Sequence, residues 1–152
     1  MLIKTGDLAP DFELVNQFGE KVSLSSFRDK MNEVLVFFTF AFTGTCTGEL
    51  CALRVDLSAF QNESIESLAI SCDAMFTQKV FAEKEGYNFP LLSDFWPHGE
   101  VAMKYGVCNE DRGLALRGTF IIDRAGIVRW SVINSPAEAR KIEDYRSALA
   151  SL

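Results

Sequence analysis

Residues 34–49 read Val34-Leu-Val-Phe-Phe38, then Thr39-Phe-Ala-Phe-Thr43-Gly-Thr-Cys46-Thr-Gly-Glu49. Val34–Phe38 is an apolar run of strand length. Downstream, Leu50, Leu53, Leu57 and Phe60 recur at the spacing of one helical face. The order is therefore buried strand, short Gly-containing turn and helix, with Cys46 at or just inside the helix N-terminus. A thiol there feels the positive end of the helix dipole and unpaired backbone N–H groups, and both favour the thiolate. Because the thiolate is the nucleophile, Cys46 is the candidate reactive residue and the remaining chain reads as its scaffold.

Outward from this stretch, strand and helix signals alternate. Asp11–Leu14 and Lys21–Leu24 flank a Gly turn and predict an N-terminal β-hairpin, and Ser25 or Ser26 is placed to cap a brief helical turn through Phe27 and Arg28. Glu66–Ser71 reads as a second parallel strand ending at Cys72-Asp73. A helix over about Thr77–Glu85 follows, with Gly86 as its stop. Phe89–Leu92 reads as a strand opening into a loop at Ser93–Gly99, and Glu100–Tyr105 as a short helix closed by Gly106. Thr119–Ile122 and Ile127–Val132 form a hairpin around Asp-Arg-Ala-Gly, and Pro136 begins a final helix reaching about Leu149. The pattern predicts a single α/β domain over 1–152, with a mixed central sheet covered by helices on both faces. In such sheets sites form at the carboxyl ends of parallel strands, where Cys46 and Cys72 would lie.

Composition excludes several classes. The chain has 152 residues, nearly half apolar and thirteen of them Phe, enough for a packed core rather than disorder. A net charge of −6 argues against a nucleic-acid or anionic-membrane surface. No window approaches the ~20 apolar residues of a membrane span, and the first residues lack a signal-peptide core, which makes a cytoplasmic location the default. Cys46, Cys51, Cys72 and Cys108 form no C-x-x-C pair and no zinc pattern, and there is one histidine, so no metal is expected. Cys72 and Cys108 read as packing residues, His98 as a loop residue, and Phe95 and Trp96 as loop-anchoring core. Taken alone, Arg117 reads as a surface strand residue and Glu49 as a first-turn acid favoured by the helix dipole.

Thr43-x-x-Cys46, the later Glu49, and Arg117 in Leu-Arg-Gly-Thr-Phe-Ile-Ile-Asp together resemble the active site of a peroxiredoxin. The opening Gly-Asp-Leu-Ala-Pro-Asp-Phe-Glu-Leu and Pro-Leu-Leu-Ser-Asp-Phe-Trp-Pro-His-Gly are similar as well, most closely to the alkyl hydroperoxide reductase E group. The resemblance implies a thioredoxin-like fold and a thiol peroxidase that needs no cofactor. It implies that Cys46 attacks the peroxide and becomes a sulfenic acid. Thr43 and Arg117 would position the oxygens and stabilise charge, and Glu49 would orient the guanidinium. Thr39, Phe40, Phe42, Gly44 and Thr45 would line the pocket. Thr39 departs from the family's Pro at that position, which implies either a wetter pocket or an added polar contact.

The implied partners are a hydroperoxide and an external thiol reductant (thioredoxin, glutaredoxin-like or mycothiol-linked), with a homodimer as the assembly. Cys51, five residues after Cys46, has the spacing of a resolving cysteine in peroxiredoxins similar to bacterioferritin comigratory protein, and reads equally as core packing. In an intact helix the two Cα atoms would stand about 8.7 Å apart, whereas a disulfide needs about 4.4–6.8 Å, so bonding requires the first turns to unwind. Two other readings remain on sequence alone. One is a thiol–disulfide oxidoreductase, against which the missing C-x-x-C counts; the other is a peroxide-inert binding or chaperone module.

Overall fold

The computed structural model describes residues 3–43, 65–134 and 147. Its frame is a seven-stranded sheet of β1 (Glu13–Val15), β2 (Lys21–Ser23), β3 (Asn32–Phe37), β4 (Ile65–Ser71), β5 (Leu91–Ser93), β8 (Arg117–Ile122) and β9 (Val128–Asn134). The spatial order is β2-β1-β5-β4-β3-β8-β9. β3, β4 and β5 run parallel, while β1 and β8 flank them antiparallel, so the sheet is mixed as expected. Two further short strands, β6 (Cys108–Asn109) and β7 (Leu114–Ala115), form a separate ribbon.

The strands are apolar on both faces because both are covered. Leu35, Phe37, Leu68, Ile70, Phe120 and Ile122 face one core, which α2 (Glu100–Lys104) closes with Val101 and Ala102. Val34, Val36, Phe38, Ala69 and Ile121 face the other, where α1 (Met75–Glu85) contributes Phe81 and Ala82. The Tyr105 hydroxyl donates to the Pro10 carbonyl at 2.6 Å and ties the first core to the N-terminal segment. At the sheet edge the buried Gln17 amide donates to Phe89 O and accepts from Leu91 N–H, acting as an extra rung between hairpin and sheet.

Several boundaries differ from the sequence reading. α1 begins at Met75 rather than Thr77, with Ala74 at its N-cap and no side-chain cap bond to mark the start. Its stop is as expected, Gly86 adopting the left-handed conformation at φ 71°. The turn after β2 is a 3-10 segment, Leu24–Phe27, and Ser26 donates to Ser23 O instead of capping. β5 lies one to two residues later than Phe89–Leu92: Phe89 O is taken by the Gln17 side chain, and the parallel ladder starts where Ala69 N–H donates to Pro90 O, with Leu91 the first paired residue. Phe95 and Trp96 do not anchor the loop in the core: they are 49% and 82% exposed. The expected final helix lies outside the described residues except for Ser147, which is helical. No helix among the described residues is long and apolar enough to cross a membrane.

Candidate active site

The chain leaves β3 at the carboxyl edge of the parallel strands and turns at once. The Thr43 hydroxyl donates to Phe40 O at 2.8 Å and closes that turn. Thr39 is buried, and its Oγ1 lies 3.4 Å from Thr43 Oγ1. The polar contact that a hydroxyl at Thr39 could add is thus present, to Thr43. Phe42 takes a positive φ of 68°, and its ring packs 4.9 Å from Phe81 with the Lys84 ammonium 5.8 Å from its centroid. A bulky residue tolerates that backbone only when its surroundings hold it.

What holds the turn is a carboxylate that the sequence reading did not single out. Asp73, just past the end of β4, accepts the Ala41 N–H at 2.8 Å and the Ser71 hydroxyl at 2.6 Å through the same oxygen. Ser71 Oγ also accepts from the buried Gln78 amide, which donates to Leu92 O as well. Burial pushes the Asp73 carboxyl up, and the Ser71 and Ala41 bonds oppose that shift. The available signal was position: Asp73 follows a parallel strand at its carboxyl end.

Arg117 opens β8 and is buried, not a surface strand residue. β8 pairs antiparallel with β3, Gly118 facing Phe37, so the register carries Arg117 to the level of Phe38, just before Thr39. The fold thus brings Thr39, Phe40, Phe42, Thr43 and Arg117 to one sheet edge. Cys46, Glu49, Cys51, Gly44 and Thr45 lie outside the described residues. A fixed cation and two hydroxyls at a strand exit suit a small oxygen-rich ligand on which negative charge develops. Among the described residues no group of three His, Cys, Asp or Glu side chains could hold a metal.

Comparison with known proteins agrees with this geometry. Residues 5–131 match the AhpC/TSA family. Alkyl hydroperoxide reductase E of Mycobacterium tuberculosis is 47% identical over 151 residues, covering 99% of each chain. Among solved structures, peroxidoxin BcpB from Mycobacterium tuberculosis superposes with a TM-score of 0.87 at 32% identity, over 99% of this chain and 98% of that one. Enterococcus faecalis AhpC gives 0.89 at 25% identity, over 99% and 92%. Neither a disulfide exchanger nor an inert module is favoured by these likenesses. A thioredoxin fold whose central strand delivers a turn of hydroxyls beside a buried arginine, matched across nearly all its residues, belongs to the AhpC/TSA family, and the chain is a thiol-dependent peroxidase.

Proposed function

We propose that Cys46 is the sulfur that reduces the peroxide. The observation that carries this reading is that Thr43, three residues ahead of Cys46 in the chain, and Arg117 arrive at one sheet edge. The Cys46 thiolate attacks one oxygen of the hydroperoxide and the O–O bond breaks. The leaving oxygen takes a proton and departs as water or an alcohol, and the sulfur becomes a sulfenic acid. The Thr43 proton is committed to Phe40 O, so its oxygen has lone pairs left to accept the peroxide O–H and fix the approach. Arg117 offsets the charge growing on the oxygens and favours the thiolate. Glu49 orients the guanidinium, and Thr39, Phe40, Phe42, Gly44 and Thr45 line the pocket.

A thiol then displaces the sulfenic hydroxyl as water and forms a disulfide, which a second thiol reduces. Cys51 supplies the first thiol if the helix start unwinds; otherwise a thioredoxin, glutaredoxin-like or mycothiol-linked donor does. Dependence on a thiol donor fits a reducing, cytoplasmic setting. The exposed Phe95 and Trp96 offer an apolar surface for the homodimer that the family resemblance implies.

The test is one equivalent of hydrogen peroxide followed by sulfenic-acid trapping and peptide mapping without reductant, with Cys46→Ser as control. Modification of Cys46 within seconds is expected, either trapped sulfenic acid or a Cys46–Cys51 bond, and is lost in the control. Cys46 remaining reduced overturns the assignment.

A further inference from the structure

Two free thiols that this mechanism does not use lie together elsewhere. Cys72 follows the last residue of β4 and is buried; Cys108 opens β6 and is half-buried. Gly99, the left-handed N-cap of α2, sits against both. A Cβ built on Gly99 would stand 3.2 Å from the Cys108 sulfur and 3.8 Å from the Cys72 sulfur. Those two distances cap the sulfur–sulfur separation at their sum.

The third wall is the ribbon. Leu116 N–H donates to Val107 O, the rung beside them, which makes Cys108 and Ala115 a narrow, non-hydrogen-bonded pair, and Gly113 N–H closes the ribbon's turn on Asn109 O. In such a pair the Ala115 N–H points away from the ribbon, toward the side on which it helps stabilise the Cys72 thiolate. Cys108 and Cys72 therefore address the same residue from two sides. The approach is fixed from the loop side too: Gly99 N–H donates to Asp94 O, and His98 Nε2 lies 2.7 Å from Gly113 O at the ribbon turn.

We propose that Cys72 and Cys108 are a second, oxidisable dithiol, closing to a disulfide against Gly99 and restraining the ribbon that leads into Arg117. The inference takes from the peroxidase reading only its oxidant, a hydroperoxide. Cys108, the more accessible thiol, attacks the peroxide; the O–O bond breaks, an alcohol or water leaves, and Cys108 becomes a sulfenic acid. The Cys72 thiol attacks that sulfur, its proton joins the departing hydroxyl as water, and the S–S bond forms. Burial raises both thiols, that of Cys72 to about 12. The pair is accordingly slow, responding to sustained excess and not to each turnover. Only Leu116 separates Ala115 from Arg117, so closure bears directly on β8.

Cys46→Ser/Cys51→Ser protein leaves these two as the remaining cysteines and needs no peroxidase activity. After excess hydrogen peroxide, mapping without reductant should join the Cys72 and Cys108 peptides with the loss of two hydrogens, reversed by dithiothreitol. Two free thiols, or oxygen accumulating on Cys108 without a cross-link, would overturn the pair. For the restraint, wild type, Cys72→Ser and Cys108→Ser are compared during turnover in excess peroxide with reductant present. Wild type alone should show a rate loss that dithiothreitol recovers, and equal recoverable loss in all three would sink it.

Discussion

Glu33 lies in β3, is 2% exposed, and neither of its carboxyl oxygens finds a hydrogen-bond partner among the described residues. Its register partner on β4 is Glu66, a second acid on the same sheet face. Burial first, and then the Glu66 charge, push the Glu33 carboxyl from an ordinary value of 4.5 up to about 9. At neutral pH Glu33 is thus protonated in the fold and ionised in the unfolded chain. The folded state binds the extra proton between those limits, so stability falls as pH rises from about 4.5 to about 9. At pH 7 the gap is about 2.5 pH units at about 1.4 kcal/mol each, a penalty on the order of 3 kcal/mol. Glu33→Gln keeps the shape and removes the titration. The two proteins should be nearly equally stable at pH 5, and the variant more stable by about 3 kcal/mol at pH 7 and by more at pH 8.5. Urea unfolding at the three pH values, under reducing conditions, measures this. Parallel curves for wild type and variant across pH 5–8.5 would show that Glu33 is solvated or paired, and would refute the reasoning.

Two further perturbations probe the site's supports. Asp73→Asn replaces an oxygen that accepts from both Ala41 N–H and Ser71 Oγ with a group that serves one of them well. It should cost about 1–2 kcal/mol in thermal unfolding and, by loosening the Thr43 turn, lower peroxidase kcat/KM about tenfold by stopped-flow. Gly118→Ala places a Cβ 2.8 Å from Val107 Cγ1 and 3.3 Å from Phe120 Cε2 inside a full core. A loss of about 1–3 kcal/mol is expected in denaturant titration, with partial recovery when Val107→Ala is added.

What the sequence reveals here is what is periodic and local. Val34–Phe38 and Glu66–Ser71 are long enough and apolar enough to declare two buried parallel strands, and Gly86 stops a helix by a rule that acts within one turn. The two-residue strands β6 and β7 have no alternation to read, and exist because the loop after α2 folds back on itself. α1 starts early because no capping side chain marks Ala74, and exposed Phe76 and Val80 blur its apolar face. At the site, Thr43 is singled out by the resemblance carried in Thr43-x-x-Cys46, while the bond by which it closes the turn on Phe40 O is seen only in the structure. Asp73 is not legible in the sequence, because its bond to Ala41 spans 32 residues. Arg117 alone reads as solvated; only its antiparallel pairing with β3 buries it, a fact of register rather than composition.

The adjacency of β3 and β8 also bears on synthesis. Strands that touch at Phe37 and Gly118 are separated in the chain by β4, α1, β5, α2 and the ribbon. Emerging at about 5–20 residues per second, the nascent chain carries Cys46 for several seconds before Arg117 exists. The Thr43 turn can close early, since its bond to Phe40 is local. The guanidinium cannot arrive until β8 docks and the loop-closure entropy of that long connection is overcome. On the role proposed for Arg117, the nascent Cys46 thiol gains that help only after β8 has been synthesised and docked beside β3.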